Sequence, residues 1–443
     1  MSKVTIPGFY HPESKLQFPW VLAQFGTLIL PFFPAVGAVI LGLSLLVTWA
    51  FKYQTIIQRR FNWGFAILSI LLIISTVFAY DKNAAVLGIC NFLPFFLLLT
   101  AFGVLIQTPV QLRLLSWIIV VASVPVVIIG IGQLFFGWTT GEFWFNISGW
   151  KVAPGGNPVG RMASVFMYAN VLAGYLITTF ILSVGLLLEA GNGGGRERGR
   201  EGERGGRIYT LIFLSLTVIG NFASLILTNS RNAWAIAIFA CVAYAMYQGW
   251  RIVILALGTI ATSVILAAFA PNAIAFWFRK VVPSFFWARL NDQMYPDRPV
   301  ALIRKTQWDF AWSLAQQRPL TGWGLRNFTP LYQEQMHIWL GHPHNFFLML
   351  SAETGFPATL LFCSLIIWIV LTSLQVIRKP RLLNQNDKLI FFSYFLVLLA
   401  WIFFNTADVS LFDFRLNVFS WFLLGAISGV TYQCLSTPKS LVK

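Results

Sequence analysis

Two imidazoles separated by one proline are the most openly reactive groups in the sequence: His342 and His344 in GHPHNFFLMLSAETG, where a long apolar run begins. An imidazole with an ordinary pKa of about 6.5 can act as a general base near neutrality. Pro343 holds the chain extended or turned, so the rings cannot stack along one helix face. Asn345 follows at the expected helix start, where an amide oxygen can cap free N–H groups. A metal site is a rival reading, with Glu334 and Glu353 as further ligands. Zinc and iron centres need three or four convergent ligands, however, and H-x-H supplies two. The third reading leaves the histidines solvated at a membrane interface.

Two arginines suit an anion. In RPVALIRKTQWDFAWSLAQQRPLTGWGLRNF the pattern gives a helix over 301–317, stopped by Pro319 and followed by a Gly322-Trp323-Gly324 turn. Ala301, Arg304, Trp308, Ala311, Trp312 and Ala315 share one broad face, both aromatic and cationic. Such a face can lie among lipid headgroups, or Arg304 can point a guanidinium into a pocket. Arg231, in LTNSRNAW, occupies a very tight turn between two apolar runs. A guanidinium at membrane depth usually faces the protein interior, and it matches phosphate oxygens bidentately. Upstream, GRMASVFMYANVLAGYL puts Arg161 at the mouth of a span and Asn170 within it, where an amide commonly bonds between helices.

The elements that must position these groups are set by composition. Of 443 residues, 57% are hydrophobic and 10% charged, against about 25% charged in soluble domains. Long apolar runs without strand-like alternation leave helices as the structure that satisfies the backbone in lipid. The runs lie at about 18–50, 61–79, 84–106, 112–136, 162–188, 208–227, 232–248, 252–270, 346–377, 388–404 and 411–433. The first divides at Pro31 and Pro34, which predicts about twelve spans and places both termini on one side. The fold class is therefore all-α and polytopic, with one large loop containing short helices. Lys52, Arg59, Arg60, Arg113, Arg251, Arg378, Lys379, Arg381 and Lys388 fall in one set of alternate loops, with the arginine cluster between Arg196 and Arg207. That set is cytoplasmic by the positive-inside rule, as are the termini. The net charge of +16 is accordingly topogenic and does not point to nucleic acid.

Three parts are expected: an N-terminal bundle over 1–270 with a disordered cytoplasmic linker near 189–207, a large periplasmic loop over 271–345, and C-terminal helices over 346–443. The loop is far longer than ordinary connections and has a basic excess, which suits either an anionic substrate or a solvated surface. Cys90, Cys241, Cys363 and Cys434 lie in apolar runs without C-x-x-C spacing and are expected to be buried free thiols.

The ordered set GRMASVFMYANVLAGYL, LTNSRNAWAIAI, RKTQWDFAWSLAQQRPLTGWGLRNF and HPHNFFLMLSAETGFPATLLF resembles the O-antigen ligase and polymerase superfamily of bacterial membrane glycosyltransferases. The resemblance implies an inner-membrane enzyme that moves a glycan from undecaprenyl diphosphate to an acceptor hydroxyl on lipid A core, a glycan or a protein. It assigns the base to His344 and diphosphate binding to Arg231 and Arg304. Arg161, Asn170, Trp308, His342, Asn345 and Glu353 are expected to support them. No metal or other cofactor is expected, and inversion at carbon is. One departure is Ala358, where many members have glycine. The same superfamily includes cyanobacterial proteins named for inorganic-carbon accumulation, so a bicarbonate transporter or accessory protein is the alternative.

Overall fold

The computed structural model describes residues 7–192, 201–291, 299–379 and 381–436. Among the described residues there is no strand, and the α-helices are α1 (Gln17–Ile29), α2 (Pro34–Gln58), α3 (Arg60–Val77), α4 (Lys82–Ile89), α5 (Leu93–Leu105), α6 (Pro109–Phe135), α7 (Glu142–Ser148), α8 (Ala169–Asn192), α9 (Glu201–Leu227), α10 (Arg231–Gln248), α11 (Arg251–Phe269), α12 (Asn272–Val281), α13 (Ser284–Leu290), α14 (Arg304–Gln317), α15 (Phe328–Met336), α16 (Phe346–Arg378), α17 (Gln385–Asn405) and α18 (Phe414–Ser436). The protein is thus an all-α, polytopic membrane protein.

Ten helical stretches among the described residues are long and apolar enough to cross a membrane, with α4 and α5 acting together as one. Two of the twelve expected spans, α1 and α10, fall outside this set by length and composition. Proline does divide the first apolar run, since α2 starts on Pro34. But α1 has only 13 residues, about 20 Å of helix against roughly 30 Å of hydrocarbon. α10 has 18 residues and carries Arg231, Asn232 and Gln248 at its ends. The segment expected as a linker is also partly helical: α8 runs to Asn192 and α9 starts at Glu201, while residues 193–200 lie outside the described residues. All four cysteines are free, and Cys90 is exposed, contrary to the expectation of burial. It sits at the end of α4, on the surface of the bundle.

One apolar core runs from Leu16 to Val430 and draws on helices before and after the long loop. Close approach of backbones holds part of it. At Gly429 a Cβ would lie 2.1 Å from the Ile106 carbonyl oxygen, so α18 meets α5 through Gly425 and Gly429, four residues apart. Packing is uneven, however. The spanning windows of α8 and α18 are 67% buried, whereas that of α11 is 11% buried.

The long loop is fastened to α16 by a break in that helix. Pro357 has no N–H to donate to the Glu353 carbonyl, and Gly355 leaves helical geometry with φ 75°. The Phe356 N–H turns to Pro319 O at 2.8 Å. The released carbonyls of Ala352 and Glu353 are taken by the N–H groups of Trp323 at 3.0 Å and Gly324 at 2.8 Å, and Ser75 donates to Glu353 O at 3.0 Å. Gly322, at φ 65°, could not carry a Cβ without bringing it to 2.4 Å from the Glu353 carbonyl carbon. Gly322→Ala should therefore destabilise the purified protein by roughly 2 kcal/mol or more. Gly258→Ala should be close to neutral, since no atom lies within 4 Å of a Cβ there. Thermal unfolding in detergent checks both, and equal melting temperatures would contradict this account of the loop attachment.

Candidate functional site

Asp408 stands in the turn between α17 and α18 and is 7% exposed. A buried carboxylate without partners is costly, and several chain segments satisfy this one. Its Oδ1 lies 3.4 Å from His344 Nδ1 and 3.8 Å from His342 Nε2, distances of charge pairing rather than of well-formed hydrogen bonds. The Val409 N–H donates to Oδ1 at 2.9 Å, and Asn170 Nδ2 donates to Oδ2 at 2.8 Å. Asn170 Oδ1 accepts from Arg161 Nη2 at 2.5 Å, and Arg161 Nε donates to Thr228 O at 2.8 Å. The chain of polar contacts thus runs from α8 to the α9–α10 turn.

The histidine segment is shaped from several sides. His344 adopts φ 51°, and its N–H donates to His342 Nδ1 at 3.2 Å. With Nδ1 accepting, the proton of neutral His342 sits on Nε2, the nitrogen that faces Asp408. Trp308 Nε1 donates to Pro343 O at 3.0 Å, pinning the middle of the motif from α14. The rings meet edge to face with centroids 4.5 Å apart, and His342 stacks on Phe412 at 5.8 Å. Asn345 Oδ1 caps α16 by accepting from Leu348 N at 3.0 Å. Because His344 turns Nδ1 toward Asp408, its Nε2 points away from the carboxylate.

Burial pushes His342 down to about 4, with Asp408 pulling against it and the nearby charges of His344 and Arg304 adding to the fall. His342 is therefore neutral at pH 7. Burial alone would raise the Asp408 carboxyl, but His344, His342 and the Val409 N–H reverse that and hold it below the ordinary carboxylate range. A fixed anion beside an imidazole orients the ring and stabilises its protonated form.

Arg304 is the first residue of α14, and Arg231 the first of α10. Both are half-buried. Neither helix has an acidic residue in its first turn or a side-chain cap bond. A cation at the positive end of a helix is unfavourable by itself, while the combination attracts an anion. Arg304 is close enough to His342 to depress its pKa. Asn232, beside Arg231, donates to Phe404 O at 2.9 Å, which sets the start of α10 against the end of α17.

The structure does not bring Glu353 to this cluster. It is 2% exposed, and its Oε1 accepts from Phe328 N at 3.2 Å at the start of α15, so it braces the loop. Conversely, Asp408 was missed in FFNTADVSLFDF. An acid between two apolar runs is costly enough in a membrane protein to mark a functional position, and that clue was available. Asp408 also supplies the third donor that H-x-H lacks: one atom each of His342, His344 and Asp408 lie within 4.8 Å of one another, so this trio could hold a divalent cation.

Residues 216–363 match the family model described as O-antigen ligase, which upholds the superfamily resemblance carried by the ordered motifs. The matched stretch contains Arg231, Arg304, His342 and His344, whereas Arg161, Asn170 and Asp408 lie outside it. No curated protein matches the chain.

The depressed His342 pKa has a consequence for stability. Unfolded, His342 takes a proton near 6.5, whereas folded it does so near 4. The unfolded chain thus binds more protons between those values, and stability is lost as pH falls through that window. Asp408, held low, acts at still more acidic pH. The melting temperature should drop from pH 6.5 to 4, and His342→Asn should flatten the decline. Identical pH slopes for the two proteins would refute the assignment.

Proposed function

We propose that the protein transfers a glycan from undecaprenyl diphosphate to an acceptor hydroxyl by an inverting, metal-independent displacement of the O-antigen ligase or polymerase type. The observation that carries this reading is the Asp408–His344 pair, a buried carboxylate 3.4 Å from Nδ1 that leaves Nε2 as the base. In the proposed step the acceptor hydroxyl gives its proton to Nε2 while its oxygen forms the new bond at the anomeric carbon. The bond from that carbon to the phosphate oxygen breaks, and undecaprenyl diphosphate leaves with the electron pair. Arg231 and Arg304 take up the charge growing on the departing diphosphate. Asp408 stabilises the imidazolium, Asn170 and Arg161 hold Asp408 in place, and Trp308 holds the histidine turn. The sugar–diphosphate bond already carries the energy for transfer, so no nucleotide is consumed.

The distribution of Lys and Arg supports a periplasmic position for this end of the bundle in a bacterial inner membrane, with both termini cytoplasmic. The donor's isoprenoid tail would then lie in the bilayer beside the site. The acceptor would be lipid A core, a growing polysaccharide or a protein hydroxyl.

With a lipid-linked glycan donor and reconstituted protein, His344→Ala, Arg231→Ala and Arg304→Ala should each abolish transfer while the variants still insert normally. Asp408→Asn should lower kcat by about a hundredfold or more by removing the charge that favours the imidazolium. Wild-type transfer by the three alanine variants would sink the proposal. Chelation should leave the rate unchanged. A rate lost to EDTA and restored by a divalent cation would make the His342, His344 and Asp408 trio a metal centre instead.

A further inference from the structure

At the opposite end of the bundle, α2 and α3 are separated only by Arg59, which takes an extended conformation with φ −74° and ψ 109°. Two clefts meet at this break. One, of about 370 Å³, is an apolar groove between α2, α3 and α5 walled by Trp49, Phe65, Phe96 and Leu97. The other, also of about 370 Å³, lies between the α2–α3 break, α5, α16 and α18, and holds Arg59, Arg60 and Tyr432. Asn62 and Thr100 line both, so the arginine-bearing cleft opens onto the apolar groove. Among the described residues, no acidic side chain lines either one.

The cations here are only partly used by the protein. Arg59 lies over the Tyr432 ring at 4.0 Å, and its Nη1 donates to Gly103 O at 2.6 Å. Its Nε is buried without a hydrogen-bond partner. Arg60 is exposed beside it. The depth of the cleft is marked by Trp63, 57% exposed, and Trp368, 61% exposed, amphipathic rings of the kind that settle at the headgroup level of a bilayer. A guanidinium pair at that level, continuous with a groove of aromatic and aliphatic side chains, complements a molecule with an anionic phosphate at one end and a hydrocarbon chain at the other.

We infer that this cleft binds one anionic phospholipid of the surrounding leaflet, its phosphate against Arg59 and Arg60 and one acyl chain in the groove beside Phe65, Phe96 and Leu97. The site lies at the other end of the bundle from His344 and Asp408 and is independent of the reaction proposed there.

Native mass spectrometry of the full-length protein, titrated with phosphatidylglycerol or with phosphatidylcholine of the same chains, tests this. One phosphatidylglycerol should be retained at about tenfold lower lipid concentration than phosphatidylcholine, the scale of one charge-assisted hydrogen bond. Arg60→Gln, at an exposed position, should remove most of that preference. Ala66→Phe, which fills the groove from an exposed site on α3, should weaken retention of both lipids. Equal retention of the two lipids by the wild type would overturn the inference, as would indifference to both substitutions. Displacement of phosphatidylglycerol by inorganic phosphate alone would mark a site for a soluble anion and would overturn it too.

Discussion

A single buried negative charge organises the reactive end of this protein. Asp408 is held away from water in the α17–α18 turn, and in an apolar bundle such a charge persists only if its surroundings are built to meet it. Meeting it requires the histidine turn before α16, the amide on α8 and, through Arg161, the turn between α9 and α10. Segments from both sides of the long loop therefore have one geometric target in common. The same contacts decide the protonation pattern, with His342 kept neutral and Asp408 kept ionised. The orientation of the histidine turn and the protonation of the groups around it consequently have one cause.

The long loop is held by an analogous constraint on the backbone. A proline and a glycine near the start of α16 release carbonyl groups that a continuous helix would have used, and the Trp323 and Gly324 N–H groups satisfy them. Glu353 adds its side chain to the start of α15. α14 then bears on the site through Trp308, whose indole holds Pro343. An irregularity in one helix is thereby converted into the placement of another.

Much of this was legible in the sequence. Apolar runs located the helices because lipid leaves few alternatives, and the prolines at 31 and 34 marked a true break. The lengths of the helices were less legible, because periodicity does not reveal that a helix such as α1 stops after 13 residues. At the site, the spacing of His342, Pro343 and His344 and the position of Asn345 prescribed a capped turn, and both are present. Glu353 looked like part of the cluster because it follows His344 by nine positions on the same segment, but its carboxylate faces α15. Asp408 escaped for the opposite reason: it is 64 residues beyond His344, and only tertiary packing brings them together.

The uneven burial of the helices that carry the long loop gives its two edges different mechanics. At its C-terminal edge the chain enters α16 through the capped turn, the helix break and the Asp408 cluster, so displacement there would disrupt many coupled contacts. At its N-terminal edge it hangs from α11, whose spanning window is 11% buried and whose packing is against α10, α12 and α13. The two edges of the loop are thus held by different amounts of protein. The turn that carries His342 and His344 thus belongs to the edge of the loop that the protein holds most closely.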